Sequence, residues 1–195
     1  MSTATTTNSE VIRAAARGQM PAWSEVTPGR REHIERVAAL LESWAERAGL
    51  DAAERERWVA AGRLHDALRD ADPERLRGEV PPELRDLAPP LLHGPAVAAR
   101  LRGEADPEFL TAVGYHTLGH PDFGRLGKAL YLADFLEPGR DFEIEWRGSL
   151  RERMPHEIEE ITVEVLAARI GHLVRARKPM RPETAAFWSA LVGGR

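Results

Sequence analysis

Apolar residues recur at every third or fourth position along much of the chain, which is the period of one face of an α-helix. The clearest stripe lies towards the C-terminus and consists of Ile158, Ile161, Val165, Ala168 and His172. Polar residues fill the positions between them, which predicts an amphipathic helix with one buried face. The same pattern elsewhere predicts an all-α fold.

Capping residues and helix breakers place the ends of the predicted helices. Thr27 before Pro28 is a typical helix start, as are Asp51 and Asp106, and Gly49 is a typical end. The pattern predicts one helical bundle of roughly eight helices. They are expected over residues 9–17, 27–49, 51–66, 91–102, 106–117, 123–136, 155–177 and 182–191.

Three stretches fit the helical pattern poorly. Residues 72–90 are rich in proline and are predicted to be irregular, and Gly94-Pro95 marks the expected true start of the next helix. Residues 142–146 alternate between apolar and polar side chains, as in a strand, but no second strand is available to pair with them. Residues 1 to about 8 are rich in Thr and Ser and are expected to be disordered.

A chain of 195 residues with 43% hydrophobic and 30% charged residues is typical of one soluble globular domain. No apolar run approaches the ~20 residues of a membrane span, and the first residues lack the build of a signal peptide. The absence of cysteine excludes thiolate ligands, and the net charge of -4 argues against general nucleic-acid binding. A cytoplasmic location is expected, with neither a nucleic-acid polymer nor a membrane as partner.

The dipeptide His65-Asp66 stands out against this background. His65 shares the apolar face of a predicted helix with Trp58, Ala61 and Leu68. Burying an imidazole beside a carboxylate is unfavourable unless both groups are satisfied. Either the two side chains bind each other and the nearby backbone, or they bind a metal ion.

Further histidines and one carboxylate also lie in apolar surroundings. Asp134 lies in the almost wholly apolar stretch 129–136, where a buried carboxylate needs a cation or several donors. His33 lies on the apolar stripe of the first long helix, and His93 and His116 lie where apolar helices meet turns. Taken singly, His33 is better explained as a core residue. Together with the His-Asp dipeptide, the set suits iron, manganese or zinc.

The order His, His-Asp, His, His, Asp resembles that of the HD superfamily of metal-dependent phosphohydrolases, an all-α fold. Longer motifs are similar to those of the YqeK family, whose members are symmetrical bis(5'-nucleosyl)-tetraphosphatases that split diadenosine tetraphosphate into two ADP. The motifs are Arg30-Arg-Glu-His33, Leu64-His-Asp-Ala-Leu-Arg69, Leu91-Leu-His-Gly-Pro95, Tyr115-His-Thr-Leu-Gly119, Tyr131-Leu-Ala-Asp-Phe-Leu-Glu-Pro-Gly-Arg140 and Lys178-Pro-Met-Arg-Pro-Glu-Thr184. The likeness covers residues 27–192 as one domain, and leaves residues 1–26 outside it as a tail with a short helix.

The resemblance implies roles for the matching residues. The metal ligands would be His33, His65, Asp66 and Asp134. They would hold one or two divalent ions, with iron expected and manganese or another transition metal as alternatives. The nucleotide-binding residues would be Arg30, His33, Asp66, Arg69, His93, His116, Thr117, Arg140, Lys178, Pro179, Met180, Arg181, Pro182 and Glu183. The catalytic residues would be His93, His116 and Arg69, although the two histidines could instead bind a second ion.

Helical spacing supports two of the arginines independently of the resemblance. Arg30 lies one turn before the first histidine, and Arg69 lies one turn after the His-Asp dipeptide, so both can reach the metal's neighbourhood. A solvated helix face is the alternative for both. The sequence also departs from the family at three places. Arg69 stands where lysine is common, and His120 stands where arginine is usual. Residues 187–189 replace aromatic and asparagine residues that are usual near the C-terminus. These departures bear on nucleoside preference.

The sequence therefore predicts metal-dependent symmetrical hydrolysis of dinucleoside tetraphosphates by a metal-activated hydroxide. The partners would be the dinucleotide substrate and the ADP product, with a homodimer as a possible assembly. One alternative keeps the fold and metal but is another nucleotide phosphohydrolase, such as a 5'-nucleotidase that releases inorganic phosphate. The other is a non-catalytic helical module that binds a nucleotide. His120, His156 and His172 have no place in the motifs and are interpreted as surface or structural residues.

Overall fold

The computed structural model describes residues 8–193, and within that range the chain consists of α-helices joined by turns and two short 3-10 segments. The predicted all-α fold is confirmed. The helices are α1 (Glu10–Ala16), α2 (Pro28–Arg47), α3 (Ala52–Leu64), α4 (Pro73–Glu79), α5 (His93–Arg100), α6 (Pro107–Tyr115), α7 (Arg125–Leu136), α8 (Ile144–Arg153), α9 (Ile158–Arg175) and α10 (Pro182–Gly193).

Side-chain caps begin the long helices at the predicted positions. The hydroxyl of Thr27 accepts a hydrogen bond from the backbone N–H of Arg30 at 3.3 Å, and Asp51 accepts one from Glu54 at 2.9 Å. Asp106 caps α6 in the same way. Each cap satisfies a backbone donor that the first helical turn leaves free, which stabilises the helix by about 1 kcal/mol.

Helix α7 lies at the centre of the fold. It contacts α2, α3, α6 and α9, and most of its side chains are buried. A helix that is apolar nearly all round is stable only inside a bundle. Asp134 lies on this helix, so its carboxylate is held among the surrounding helices.

Helices α2 and α3 approach each other unusually closely. A Cβ atom on Gly62 would lie 2.8 Å from the Cα of Ala38, a separation that real Cβ atoms do not tolerate. Only glycine permits this approach. It brings the C-terminal end of α3, which carries His65 and Asp66, next to His33 on α2.

Two stretches that fitted the helical pattern poorly contain helices. The strand-like alternation at residues 142–146 does not form a strand, because α8 begins at Ile144. Without a second strand to pair with, the backbone groups of this short stretch are satisfied within a helix. Helix α4 forms in the proline-rich region, where Asp72 caps it and Pro73 occupies its first turn. Because of these two helices, the described residues form ten α-helices where roughly eight were expected.

The first helix packs onto the rest of the bundle. Ile12 and Ala15 of α1 are buried, and α1 contacts α3. Asn8, which we expected in a disordered tail, is also buried, and its side-chain amide donates to the carbonyl of Ala53 at 2.9 Å. The rest of that expected tail, residues 1–7, lies outside the described residues. The predicted domain boundary after residue 26 stays a prediction.

None of the described helices combines the length and the apolarity that crossing a membrane requires. The cytoplasmic location and the homodimer stay predictions.

Candidate active site

The predicted histidines and aspartates come from five helices and meet at one place. His33 lies on α2, the His-Asp dipeptide follows α3, and Asp134 lies on α7. His93 opens α5, and His116 follows the last residue of α6. All are buried except Asp134, whose side chain is 14% exposed. The bundle therefore encloses an ionisable cluster within its apolar interior.

Four of these side chains form the group that the resemblance assigns to the metal. His33 Nε2 lies 3.2 Å from Asp134 Oδ1 and 3.6 Å from Asp66 Oδ2. His65 Nε2 lies 3.5 Å from the same oxygen of Asp66. Ligand atoms of His33, His65 and Asp66 all lie within 4.8 Å of one another. Such separations allow His33, His65 and Asp66 to converge on one ion at the usual ligand distances of about 2.0–2.2 Å, and Asp134 lies next to them against His33.

The two imidazoles turn their Nε2 atoms towards the centre of this group. Nδ1 of His65 donates a hydrogen bond to the carbonyl of Gly62 at 2.6 Å, and Nδ1 of His33 lies 3.2 Å from Oε1 of Glu137. When Nδ1 of a neutral ring carries the hydrogen, Nε2 carries the lone pair. Among the described residues, Nε2 of both rings is buried without a hydrogen bond. A metal ion is a partner that uses these lone pairs.

Glu137 holds the ring of His33, and sequence reasoning did not identify it as a site residue. Its carboxylate accepts hydrogen bonds from Arg36 Nε at 2.6 Å and from the backbone N–H of Gly139 at 2.7 Å. A carboxylate behind a ligating histidine fixes the ring and strengthens metal binding. One signal was available, because Glu137 lies one helical turn after Asp134. The pattern did not distinguish it from an ordinary residue at a helix end.

The carboxylates around His33 change its protonation. Burial alone lowers the pKa of His33, but the facing carboxylates of Asp134 and Glu137, together with the charge of Asp66, outweigh burial and raise the pKa to about 9. In the metal-free protein an imidazolium therefore balances the carboxylates. A metal ion that binds His33 must displace this proton.

The other ligand candidates are in the protonation states that a metal needs. Burial lowers the pKa of His65 to about 4, so this ring is neutral at pH 7. Burial raises the pKa of Asp134, but His33 and Arg140 outweigh it and hold that pKa well below its usual range. Burial likewise raises the pKa of Asp66, and the neighbouring histidines, His65 foremost, outweigh it and lower that pKa. Neutral imidazoles and ionised carboxylates are the forms that coordinate metals.

The remaining two histidines meet at the other oxygen of Asp66. His93 Nε2 lies 2.9 Å from Asp66 Oδ1, and His116 Nε2 lies 3.5 Å from that oxygen and 3.2 Å from His93 Nε2. Nδ1 of His116 donates to the carbonyl of Val113 at 2.8 Å, which leaves Nε2 of His116 as an acceptor in the neutral ring. Asp66, His93 and His116 could therefore hold a second ion, or the two histidines could act on a substrate.

Arginines lie against the carboxylates of the cluster. Arg30 Nη1 donates to Asp66 Oδ2 at 2.8 Å, and Arg140 Nη2 donates to Asp134 Oδ1 at 2.6 Å. Arg69 is half-buried and lines the cavity that opens beside them. Guanidinium groups donate in a fork that matches the oxygens of a phosphate. The site can therefore hold phosphate oxygens next to the candidate metal ligands.

A cavity of about 900 Å³ opens beside the cluster. The predicted residues that line it are Arg30, Asp66, Arg69, His93, His116, Thr117, Asp134, Arg140, Pro179 and Arg181. His33 instead borders a smaller cavity that shares Arg30 and Arg140 with the large one. Four residues of the predicted C-terminal segment do not line the cavity, namely Lys178, Met180, Pro182 and Glu183.

Several other residues of the cavity wall were not predicted. They are aromatic and basic, and they include Tyr131, Phe135, Phe142, Arg169, His172 and Arg175. His172 is exposed and also lines the cavity. The stripe on α9 offered a signal, because it placed this histidine in line with apolar residues. His120 lies outside the cavity lining, and its ring centroid is 4.6 Å from that of Tyr115.

A family model described as "HD domain" matches residues 30–139, which is more than half of the chain. The chain therefore belongs to the HD domain family, which is a family of hydrolases, and the predicted membership of the HD superfamily is confirmed. The groups able to hold a metal lie within the matched residues.

The chain is similar to proteins named symmetrical bis(5'-nucleosyl)-tetraphosphatase. It is 28% identical over 178 residues to the one from Bacillus subtilis (strain 168), and the alignment covers 87% of this chain and 93% of that protein. Identity to the one from Halalkalibacterium halodurans is 27% over 177 residues, covering 86% and 93%. Identity to the one from Staphylococcus aureus is 34% over 88 residues, covering 41% and 45%. These names agree with the family that the motifs resemble.

One solved structure shares the fold. It is described as a predicted HD superfamily hydrolase involved in NAD metabolism from Clostridium acetobutylicum, and it superposes with a TM-score of 0.77. The superposition covers 94% of this chain and 96% of that chain at 21% sequence identity. This likeness supports the helical architecture described above.

Proposed function

We propose that this chain is a metal-dependent hydrolase that splits dinucleoside tetraphosphates symmetrically, converting diadenosine tetraphosphate and water into two ADP. The observation that carries the proposal is the pair of buried Nε2 atoms, of His33 and His65, which lack hydrogen bonds among the described residues and lie beside two carboxylates. The two carboxylates, Asp66 and Asp134, line a cavity that arginines also line. The substrate class is taken from the similar proteins.

The residues that would hold the metal are His33, His65, Asp66 and Asp134. Their imidazole and carboxylate groups fit a borderline or hard divalent ion, and we propose iron, with manganese as the alternative. When bound, such an ion lowers the pKa of a coordinated water from ~15.7 towards ~7 and adds positive charge beside the reacting phosphate.

The arginines position the polyphosphate. Arg30 and Arg140 contact Asp66 and Asp134, so a phosphate oxygen that reaches either guanidinium lies next to the candidate metal ligands. Arg69 adds a third cation on the same cavity wall. Charge in phosphoryl transfer spreads over the phosphoryl oxygens, and fixed donors that meet this charge lower the barrier.

His93 and His116 are placed to move protons in this reaction. The oxygen of a water bonds to one inner phosphorus, and the bond from that phosphorus to the central bridging oxygen breaks, so that its electron pair leaves with the second ADP. His116 Nε2 is an acceptor in the neutral ring and can take a proton from the water, whereas His93 can donate to a phosphate oxygen. If the two rings bound a second ion with Asp66 instead, metal analysis would give two ions per chain.

The experiment that tests the proposal is incubation of the protein with diadenosine tetraphosphate and Fe²⁺ or Mn²⁺, followed by chromatography of the products. Symmetrical cleavage gives ADP as the only nucleotide product and releases no inorganic phosphate. Inorganic phosphate would indicate a phosphatase such as a 5'-nucleotidase. Bound substrate without turnover would indicate a non-catalytic module.

Matched variants connect the activity to the cluster. His65→Ala should abolish both metal retention and ADP formation. His156→Ala is the control, because His156 is exposed and lies outside both cavities, and it should behave as the unmodified protein. Full metal content and full activity in His65→Ala would contradict the assignment.

A further inference from the structure

Cleavage of the central bond places both halves of a dinucleoside tetraphosphate at this site. That placement rests on the proposed function. We attribute the predicted nucleotide-binding residues to one half of the substrate, because none of them lies on α9, which also lines the cavity. The other half needs contacts of its own if the central phosphates are to be held in register with the metal ligands.

Several residues of the cavity wall lie outside the predicted nucleotide site. They come from the end of α7, the turn before α8, and α9, and they include Phe135, Phe142, Arg169, His172 and Arg175. Aromatic rings beside guanidinium groups are the combination that binds nucleotides through base stacking and phosphate contacts. At about 900 Å³, the cavity is at the large end of the roughly 300–1,000 Å³ of small-molecule sites.

Phe142 is the exposed aromatic residue of this wall. It is 40% exposed, so part of its ring is open to solvent. The guanidinium of Arg147 lies over its ring at 4.6 Å, and the ring of Phe135 contacts it at a centroid distance of 5.7 Å. These contacts hold the ring while part of it remains open to a ligand.

Arg147 also fixes the turn that carries Phe142. Its buried guanidinium donates to the carbonyls of Phe135 at 2.8 Å, Glu137 at 2.6 Å, Arg140 at 3.0 Å and Phe142 at 3.2 Å. The turn is thus held before any ligand arrives, which reduces the entropy lost on binding. The same turn carries Arg140, which contacts the candidate metal ligand Asp134. One end of the turn therefore lies at the metal site, and the other end, with Phe142, lies at the part of the cavity wall outside the predicted nucleotide site.

Two arginines of α9 supply positive charge on this wall. Arg169 Nη2 donates to the carbonyl of Thr117 at 2.7 Å, and its guanidinium lies over the ring of Tyr131 at 4.7 Å, so its position is fixed. Arg175 is exposed and lines the cavity. Neither residue belongs to the motifs of the predicted nucleotide site.

We propose that Phe142, Arg169 and Arg175 form a subsite for the second nucleotide half of the substrate. The base of that half stacks on Phe142, Arg175 contacts its ribose, and Arg169 contacts its phosphates. Stacking is tolerant of the base, because every nucleobase presents a π-face. The subsite therefore accepts a second nucleoside with any base, and it favours a dinucleotide over a mononucleotide that lacks the second nucleoside.

The test compares diadenosine tetraphosphate with adenosine 5'-tetraphosphate, which has the same four phosphates and lacks the second adenosine. KM is measured for the dinucleotide, and the inhibition constant is measured for the mononucleotide as a competitor. Phe142→Ala should raise KM for the dinucleotide about tenfold, within the range seen when a stacking aromatic is removed. The inhibition constant should stay within about twofold, and Phe142→Tyr should restore KM.

Two further variants keep the test decisive. Arg175→Ala removes an exposed side chain and should weaken the dinucleotide alone. Ile144→Ala is the control, because Ile144 is 61% exposed, begins α8 two residues after Phe142 and lies outside the cavity lining, so neither constant should change. An unchanged KM in Phe142→Ala, or equal weakening of both compounds, would overturn the subsite. Failure of the unmodified protein to form ADP would instead overturn the proposed function.

Discussion

At the scale of single residues, the candidate site depends on which nitrogen of each imidazole is tied down. The carbonyl of Gly62 engages Nδ1 of His65, and the carboxylate of Glu137 engages Nδ1 of His33. Both Nε2 atoms are therefore left for the cluster centre. The sequence could predict that these rings are buried near carboxylates, but not how they are turned, because ring orientation depends on groups that helix packing brings in.

Removing the charge of Glu137 tests whether it orients His33. Glu137→Gln keeps the size of the side chain but loses the carboxylate that faces the ring, so metal affinity should fall by about 10–100-fold. Metal titration of the purified protein measures this, with circular dichroism to show that the helices are retained. Glu145→Gln is the control, because Glu145 is exposed on α8. Equal affinity in the two variants would show that Glu137 does not support the metal.

Metal binding should release a proton from His33. The pKa of His33 is raised to about 9, so its ring is charged in the metal-free protein at pH 7, whereas a metal ligand must be neutral. Calorimetric titration at pH 7, in buffers of different ionisation enthalpy, should show about one proton released per ion from this ring. The release should fall as pH rises through 9, because His33 then loses its proton beforehand. A release that only increases with pH would mean that a coordinated water, and not His33, is its source.

At the scale of helices, the caps and breakers in the sequence predicted most of the boundaries. Thr27, Asp51 and Asp106 each cap a helix as expected. Two helices were missed for a common reason, because the strand-like alternation at residues 142–146 and the proline-rich region at 72–90 give patterns too short to reveal a helix. The aromatic and basic part of the cavity wall was missed for another reason. It is assembled from α7, the turn before α8, and α9, and no local pattern predicts that these elements meet.

Gly62 controls the approach of α2 and α3, and its substitution tests that packing. A Cβ in Gly62→Ala would meet the backbone of Ala38 at 2.8 Å, so the helices must move apart, which should lower the free energy of unfolding by about 1–3 kcal/mol. Denaturant unfolding measures the change. Gly29→Ala is the control, because no atom lies within 4 Å of its added Cβ, and it should be neutral or slightly stabilising. Equal stability of the two variants would contradict the close packing.

At the scale of the whole molecule, the bundle brings together groups that are far apart in sequence. Asp134 follows His33 by about a hundred residues, yet Nε2 of His33 lies only 3.2 Å from Oδ1 of Asp134. The family resemblance predicted this convergence, and helical periodicity alone did not. What the resemblance could not supply is the extent of the cavity, since its further wall contains residues outside the family's motifs.

We expect one divalent ion to bind His33, His65, Asp66 and Asp134. Anomalous X-ray diffraction from crystals grown with Fe²⁺ or Mn²⁺ locates that ion, and the peak should lie about 2.0–2.3 Å from Nε2 of both histidines and from an oxygen of each aspartate. A peak elsewhere in the molecule, or an ion at this site with the Asp134 carboxylate turned away from it, would show that these four residues do not form the metal site.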